Sequence, residues 1–357
     1  MNIKGILRSR LKSEFPPFAH LVIIKTIKSP ILEAPTANDS LISNMSTSNA
    51  ELKYMNGFRN FHETEALKGA LPPFGNTPQK VAYGLYAEQI NFTAFTKKKE
   101  ANLRAWTYRI RPAAPHHGYK PYDGTPISQC EPTIVTPERT RWNPKPMPTT
   151  PTDFVHGMHP YCGAGDPSMK AGLRIYVYSC NANMVDSSYC CSDGEMLIVP
   201  QLGTLAITTE MGKMDVPSGF IAVIPRGIRF SVDVPADTGA RGYIAEAFDS
   251  NFDLPPRGVI GANGLSNERD FETPVAWYED RDEIKFRCFT KFCDKVFVFE
   301  QDHSPFDVVA WHGNCAPYRY DLSKFCVVNS VSFDHLDPSI FCVLTAQTAE
   351  PGVASCD

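Results

Sequence analysis

The chain has no excess of positive charge. Its 35 lysines and arginines are outnumbered by 39 acidic residues, for a net charge of −4. No basic surface therefore argues for nucleic acid or an acidic lipid face as partner. No apolar run approaches the ~18 residues that a membrane-crossing helix requires. Tryptophan is scarce, at four residues, whereas 30 prolines and 23 glycines punctuate the chain. That balance excludes a long helical bundle and favours many turns. There is no P-loop, no Gly-x-Ser-x-Gly elbow and no Gly-x-Gly-x-x-Gly turn between strand and helix. The run from Gly258 to Gly264 is glycine-rich but lacks that spacing, and reads as an ordered crossing loop.

Eleven cysteines are present, an odd number scattered without a secretory signal. They fit free thiols in a reducing cytoplasm better than a disulfide framework. None of their spacings matches a structural zinc site.

Residues 1–50 differ in composition from the rest of the chain. A basic start (Lys4, Arg8, Arg10, Lys12) precedes an apolar, lysine-dotted stretch and then a run rich in Ser, Thr and Asn. One reading is a mitochondrial-type presequence. The favoured one is a disordered or spurious extension, with Met45 as the working start. From Leu52 to about Pro151 prolines break any long element, though Arg104–Arg111 alternates like a strand. From Asp153 to Phe252 the pattern is β throughout. Strand-like runs recur at Met196–Val199, Thr204–Thr209, Phe220–Ile224, Ile228–Val234 and Tyr243–Phe248, with turn residues between them. Further runs fall at Lys295–Glu300, Phe325–Phe333 and Ile340–Thr345. Short strands at such spacing predict an all-β sandwich or jelly-roll barrel.

Residues 192–234 look like one cupin half-barrel, with glycines 194, 203, 212, 219 and 227 at its turns. A metal-binding cupin carries His-x-His and a carboxylate near the first turn and a further histidine near the last. Here those places hold Ser192 and Asp193, then Arg229 and Phe230, so a divalent iron or zinc finds no imidazole. His156, His159 and Cys162 form the nearest approach to a metal cluster, read as side chains held by loop hydrogen bonds around a tight glycine loop. His312 reads as a packing residue.

Nine motifs occur in one order: GLYAEQ, FVHGMHPYCGAGD, SDGEMLIVPQ, GFIAVIPRGIRFSVDV, IGANGL, PVAWYEDR, SPFDVVAWHGN, FDHLDPSIF and PGVA. Together they resemble the homogentisate dioxygenase family from about Glu51 to Asp357. The resemblance implies an N-terminal metal-free cupin-like β domain over 51–323 and the beginning of a second, incomplete cupin barrel over 324–357. It implies homogentisate and dioxygen as substrates, ring opening to maleylacetoacetate, and homo-oligomers (trimers or hexamers). It also places the family's acid/base histidine at His335, with Asp334 and Asp337 beside it. An imidazole titrating near neutrality suits acceptance of a phenolic proton. The family's Fe(II) is held by two histidines and a glutamate that lie beyond Asp357. The expectation is therefore that this chain, as written, offers no metal ligand set and no turnover. The alternative reading is a non-catalytic β-scaffold that binds other subunits.

Overall fold

The computed structural model describes residues 51–74, 77–91, 93, 99–114, 118–128, 138–139, 143–255, 266–325, 342–348, 350 and 352–356. Among them the regular structure is β-strand, with only three-residue 3₁₀ turns besides. The all-β expectation holds.

Two large sheets carry the architecture. In the first, eight strands run in the order Tyr54–Asn56, Phe271–Pro274, Tyr318–Asp321, Phe220–Ile224, Glu195–Leu202, Ala240–Ala247, Ala171–Cys180 and Met158–Asp166. In the second, seven strands run in the order Gly212–Pro217, Thr204–Thr209, Arg229–Asp233, Ser187–Cys191, Asp282–Phe292, Lys295–His303 and Lys120–Pro121. Pairing is antiparallel except for Ser187–Cys191, which runs parallel to Asp282–Phe292. One apolar core lies between the sheets. Tyr176, Tyr178, Ile198 and Ile244 enter it from the first sheet, and Tyr189, Ile207, Phe230 and Phe289 from the second. The period of two in each strand puts alternate side chains on this shared face, which is why the sequence pattern reports the sandwich.

A four-stranded sheet (His62–Glu65, Val308–Gly313, Arg104–Arg109, Tyr86–Asn91) closes one side. Its Trp311 is fully buried in the common core and donates its indole N–H to the Met211 carbonyl at 2.7 Å. A three-stranded sheet of Phe252–Asp253, Thr345–Gln347 and Ala354–Cys356 lies elsewhere. It belongs to a second apolar cluster with Ile221, Val223, Phe271, Tyr318 and Tyr320 of the eight-stranded sheet.

The stretch read from sequence as a tight loop is different. Met158–Asp166 forms a nine-residue edge strand paired with Ala171–Cys180. Glycine here serves close approach rather than a turn. Gly165 (φ +88°) lies opposite Gly172 (φ +94°), and a Cβ on either would meet a carbonyl oxygen of the facing strand at 2.0 Å. Only a residue without a side chain fits both the positive φ and the contact. The actual reversal is the 3₁₀ turn Pro167–Met169, capped by the Asp166 carboxylate accepting from the Ser168 N–H at 2.7 Å.

Candidate functional site

The two places where a metal-binding cupin presents its ligands are filled by ion pairs. Asp193, just after the strand Ser187–Cys191, is buried and binds the Lys291 ammonium at 2.6 Å. Lys291 is itself fully buried. It also reaches Glu246 at 3.0 Å and Asp294 at 2.9 Å. Glu246 accepts in addition from the Tyr176 hydroxyl at 2.7 Å and the Cys191 thiol at 2.9 Å. Burial opposes charge on Lys291, yet Glu246 and Asp193 outweigh it and hold the ammonium well above the ordinary lysine range. Burial pushes the Cys191 thiol far up, and Glu246 adds to it, so the sulfur stays protonated.

Arg229, at the second place, is half-buried against Glu210, which it meets at 3.1 Å. Glu210 also binds the buried Arg109 at 3.0 Å, and Arg109 binds Asp307 at 2.8 Å. Burial would raise the Glu210 carboxyl, but Arg229 and Arg109 reverse that and lower it. These charges cross-link strands of three sheets. Among the described residues each is met by an opposite charge at 3.1 Å or less.

The histidines separate. His335, with Asp334 and Asp337, lies outside the described residues, as do Gly258–Gly264. The chain flanking the His335 segment is anchored at both ends. Before it, Leu322–Lys324 is a 3₁₀ turn capped by Asp321, and Phe325 packs on the cluster of Tyr318 and Tyr320. After it, Val343 and Leu344 join the same cluster, the Val343 carbonyl accepts from the Ser266 hydroxyl at 2.8 Å, and Thr345–Gln347 pairs with Phe252–Asp253. Phe252 is in turn fixed by Glu195, which accepts its N–H at 2.6 Å, and by Arg59, which donates to its carbonyl at 2.9 Å.

His156 sits at a bend before the edge strand. Its Nδ1 is 2.6 Å from the Asp153 carboxylate, and its Nε2 is 2.9 Å from the Tyr122 hydroxyl. The Asp153 carboxylate also accepts the His156 backbone N–H at 2.9 Å, so the carboxylate and the ring are fixed together by the local turn. Burial would raise the Asp153 carboxyl, but its bonds to His156 hold it below the usual range. Tyr122 comes from the loop after Lys120–Pro121 and packs on Phe289 with ring centroids 5.0 Å apart. His312, half-buried, pairs with the Tyr108 hydroxyl at 2.9 Å. Burial lowers the His312 imidazole and raises the Tyr108 phenol. Burial, with Lys145, likewise lowers His159 on the edge strand. His62 faces the Gly57 carbonyl at 3.2 Å and His303 the Asp302 carboxylate at 2.8 Å. Among the described residues no three His, Cys, Asp or Glu side chains converge as a metal ion requires. Nine described cysteines are free thiols.

A family model described as the homogentisate 1,2-dioxygenase N-terminal region matches residues 53–322, and the corresponding C-terminal one matches 323–357. The chain is 49% identical over 315 residues to a homogentisate 1,2-dioxygenase of Drosophila melanogaster, covering 86% of this chain and 71% of that protein. To the enzyme of that name from Dictyostelium discoideum it is 51% identical over 314 residues, covering 88% of this chain and 72% of the other. The chain belongs to the homogentisate 1,2-dioxygenase family. The homogentisate 1,2-dioxygenase of Arabidopsis thaliana is 47% identical over 312 residues, covering 86% and 68% respectively. Solved structures give only faint likeness. A cupin 2 conserved barrel domain protein from Leptotrichia buccalis has TM-score 0.23 at 11% identity, covering 48% of this chain and 89% of its own. Protein Ylba from E. coli has TM-score 0.21 at 10% identity, covering 60% and 96%.

In this member of the homogentisate 1,2-dioxygenase family, sequence reasoning set His156 beside His159 and Cys162 without singling it out, and missed its partner Tyr122. The Asp153–His156 spacing of three was visible. Tyr122 lies 34 residues from His156 along the chain, and only the position of Lys120–Pro121 beside Lys295–His303 brings it in. Lys291 was missed altogether, because it falls in the same phase of the strand as Lys285 and Arg287 and so reads as an outward-facing polar side chain.

Proposed function

We propose that the protein serves the oxidative opening of the homogentisate ring by dioxygen, giving maleylacetoacetate. One observation carries the reading: about half of all residues are identical to homogentisate 1,2-dioxygenases over 86–88% of the chain. On this reading residues 51–323 are the β domain described above, and 324–357 begin the catalytic cupin. His335 takes a proton from a substrate phenol, because a neutral imidazole accepts at physiological pH what a carboxylate accepts poorly. The two anchored flanks hold that segment's ends against the Tyr318 cluster. The assembly is a cytoplasmic homo-oligomer, a trimer or hexamer. The family's Fe(II) does not fit the described side chains, because each described histidine is bonded separately or stands alone.

That dispersal of histidines favours a second reading, in which this chain is a β-scaffold within an assembly and other subunits supply the iron ligands. Iron content and oxygen uptake on homogentisate, measured on one preparation supplied with iron(II) and ascorbate, separate the two. The scaffold reading expects no bound iron and no uptake from the chain alone, and uptake once it co-assembles with iron-binding subunits. Near-stoichiometric iron with uptake by the chain alone assigns turnover to the chain itself and overturns the scaffold reading. Absence of uptake in the chain and in the assembly alike overturns the ring-opening proposal.

A further inference from the structure

We propose that Tyr122 is a redox-active tyrosine whose oxidation is coupled to proton transfer along Tyr122–His156–Asp153. The chain of contacts is continuous: hydroxyl to Nε2 at 2.9 Å, then Nδ1 to carboxylate at 2.6 Å. A carboxylate only accepts, so Nδ1 carries the ring proton. The Nε2 lone pair of the neutral ring is then free to accept the phenolic proton. One-electron oxidation of a phenol is difficult while the proton stays, because the radical cation is a very strong acid. A base already in hydrogen-bond contact removes that penalty.

The step balances simply. A one-electron oxidant, such as an oxygen-centred or semiquinone radical, takes one electron from the Tyr122 ring and becomes its anion. The phenolic proton moves to His156 Nε2, leaving a neutral phenoxyl radical and an imidazolium. Asp153 holds that imidazolium by an ionic hydrogen bond. A thiol or ascorbate, acting as reductant, returns one electron as the proton moves back.

The molecule contains its own comparison. Tyr108 and His312 stand at the same 2.9 Å. Among the described residues no carboxylate is hydrogen-bonded to His312, and burial makes its ring a poorer base despite the nearby charge of Glu63. Tyr108 is also fully buried, whereas Tyr122 and His156 are partly exposed to a diffusing oxidant. Phe289 packs against both Tyr122 and His156, with centroids 5.0 and 5.8 Å away, tilted to the first ring and edge-on to the second. The same geometry has a structural role in pinning the Lys120–Pro121 loop, so the test must move with the proton and not with packing.

The test is oxidation of the full chain by pulse-generated azide radical, with the phenoxyl signal followed by optical absorption and electron paramagnetic resonance. The expected result is a fast-forming phenoxyl component, ahead of the slower signals of the exposed Tyr83, Tyr119 and Tyr243, that is lost in Tyr122→Phe and retained in Tyr108→Phe. In His156→Ala its formation slows by about a hundredfold, the scale of positioned proton transfer, and added imidazole restores it. A solvent deuterium isotope effect accompanies the wild-type step and disappears in His156→Ala. A phenoxyl signal unchanged in Tyr122→Phe overturns the proposal. So does a formation rate indifferent to both His156→Ala and imidazole. Asp153→Asn is the second variant: it keeps the side-chain shape and is expected to slow the same step. An unchanged rate there removes the carboxylate from the relay and overturns the proposal as stated.

Discussion

A lysine with no solvent exposure is the most consequential single residue among those described. Lys291 is the countercharge shared by Asp193 and Glu246 inside the sandwich, at 2.6 and 3.0 Å. Its removal leaves two carboxylates buried without a countercharge. Lys291→Met keeps most of the volume and deletes the charge, so its cost reports electrostatics rather than a cavity. Breaking a buried pair in this way costs about 3–5 kcal/mol. The exposed pair Lys285–Glu300, at 3.0 Å with side chains 75% and 50% accessible, provides the contrast. Lys285→Met is expected to change stability by less than about 1 kcal/mol. Urea unfolding of both variants decides the matter. Equal midpoints would mean that the interior reorganises or hydrates around the bare carboxylates.

Among elements, legibility followed periodicity. Thr204–Thr209 and Phe220–Ile224 appear with the bounds the sequence suggested, the first because burial alternates along it and the second because a continuous apolar run is bounded by Gly219 and Pro225. Arg104–Arg109 and Lys295–His303 agree to within a few residues at one end. Ser187–Cys191 was illegible, since it is buried on both faces and Ser-Ser-Tyr-Cys-Cys shows no alternation. Asp282–Phe292 begins with exposed charges and turns inward only from Phe286, which masks its eleven residues. Met158–Asp166 was misread because glycine in sequence signals a turn, while here it permits strands to touch. That correction is testable. Gly165→Ala adds a Cβ 2.0 Å from the Ala171 oxygen at a φ of +88°. Strain of this kind costs about 1–3 kcal/mol before any clash is relieved. The expected result is at least that loss in urea, with faster amide exchange along Met158–Asp166. A variant as stable as the parent would show that the edge strand shifts register freely. The candidate site divides in the same way. Asp153 and His156 share one local turn and were within reach of sequence reasoning, whereas contacts closed by sheet topology were not.

For the whole molecule, the buried charges set a pH dependence of defined sign. The Glu210 carboxyl is buried, which alone would raise it, but Arg229 and Arg109 lower it below the ordinary 4.5. The unfolded chain therefore takes up that proton first. Glu210's contribution is fully present above pH 4.5 and is lost as pH falls through its depressed folded value. Glu195 behaves oppositely. Burial raises it above 4.5 despite Arg59. Its linkage term is present below 4.5 and is lost as pH rises through the raised folded value. The two carboxylates thus act in separate windows, Glu210 below the ordinary value and Glu195 above it. Urea midpoints from pH 7 to pH 3 are expected to respond accordingly. Glu210→Gln flattens the decline of stability below 4.5, because one proton-uptake difference has gone. Glu195→Gln makes stability rise more steeply with pH just above 4.5, because a term that opposed the rise has gone. Both variants weaken an ion pair and lower stability near neutrality, so the slope and not the height of the curve carries the test. Parallel curves for parent and variants would mean that neither carboxylate changes its proton affinity on folding, and that the interior is wetter than the packing of Trp311, Phe230 and Tyr189 implies.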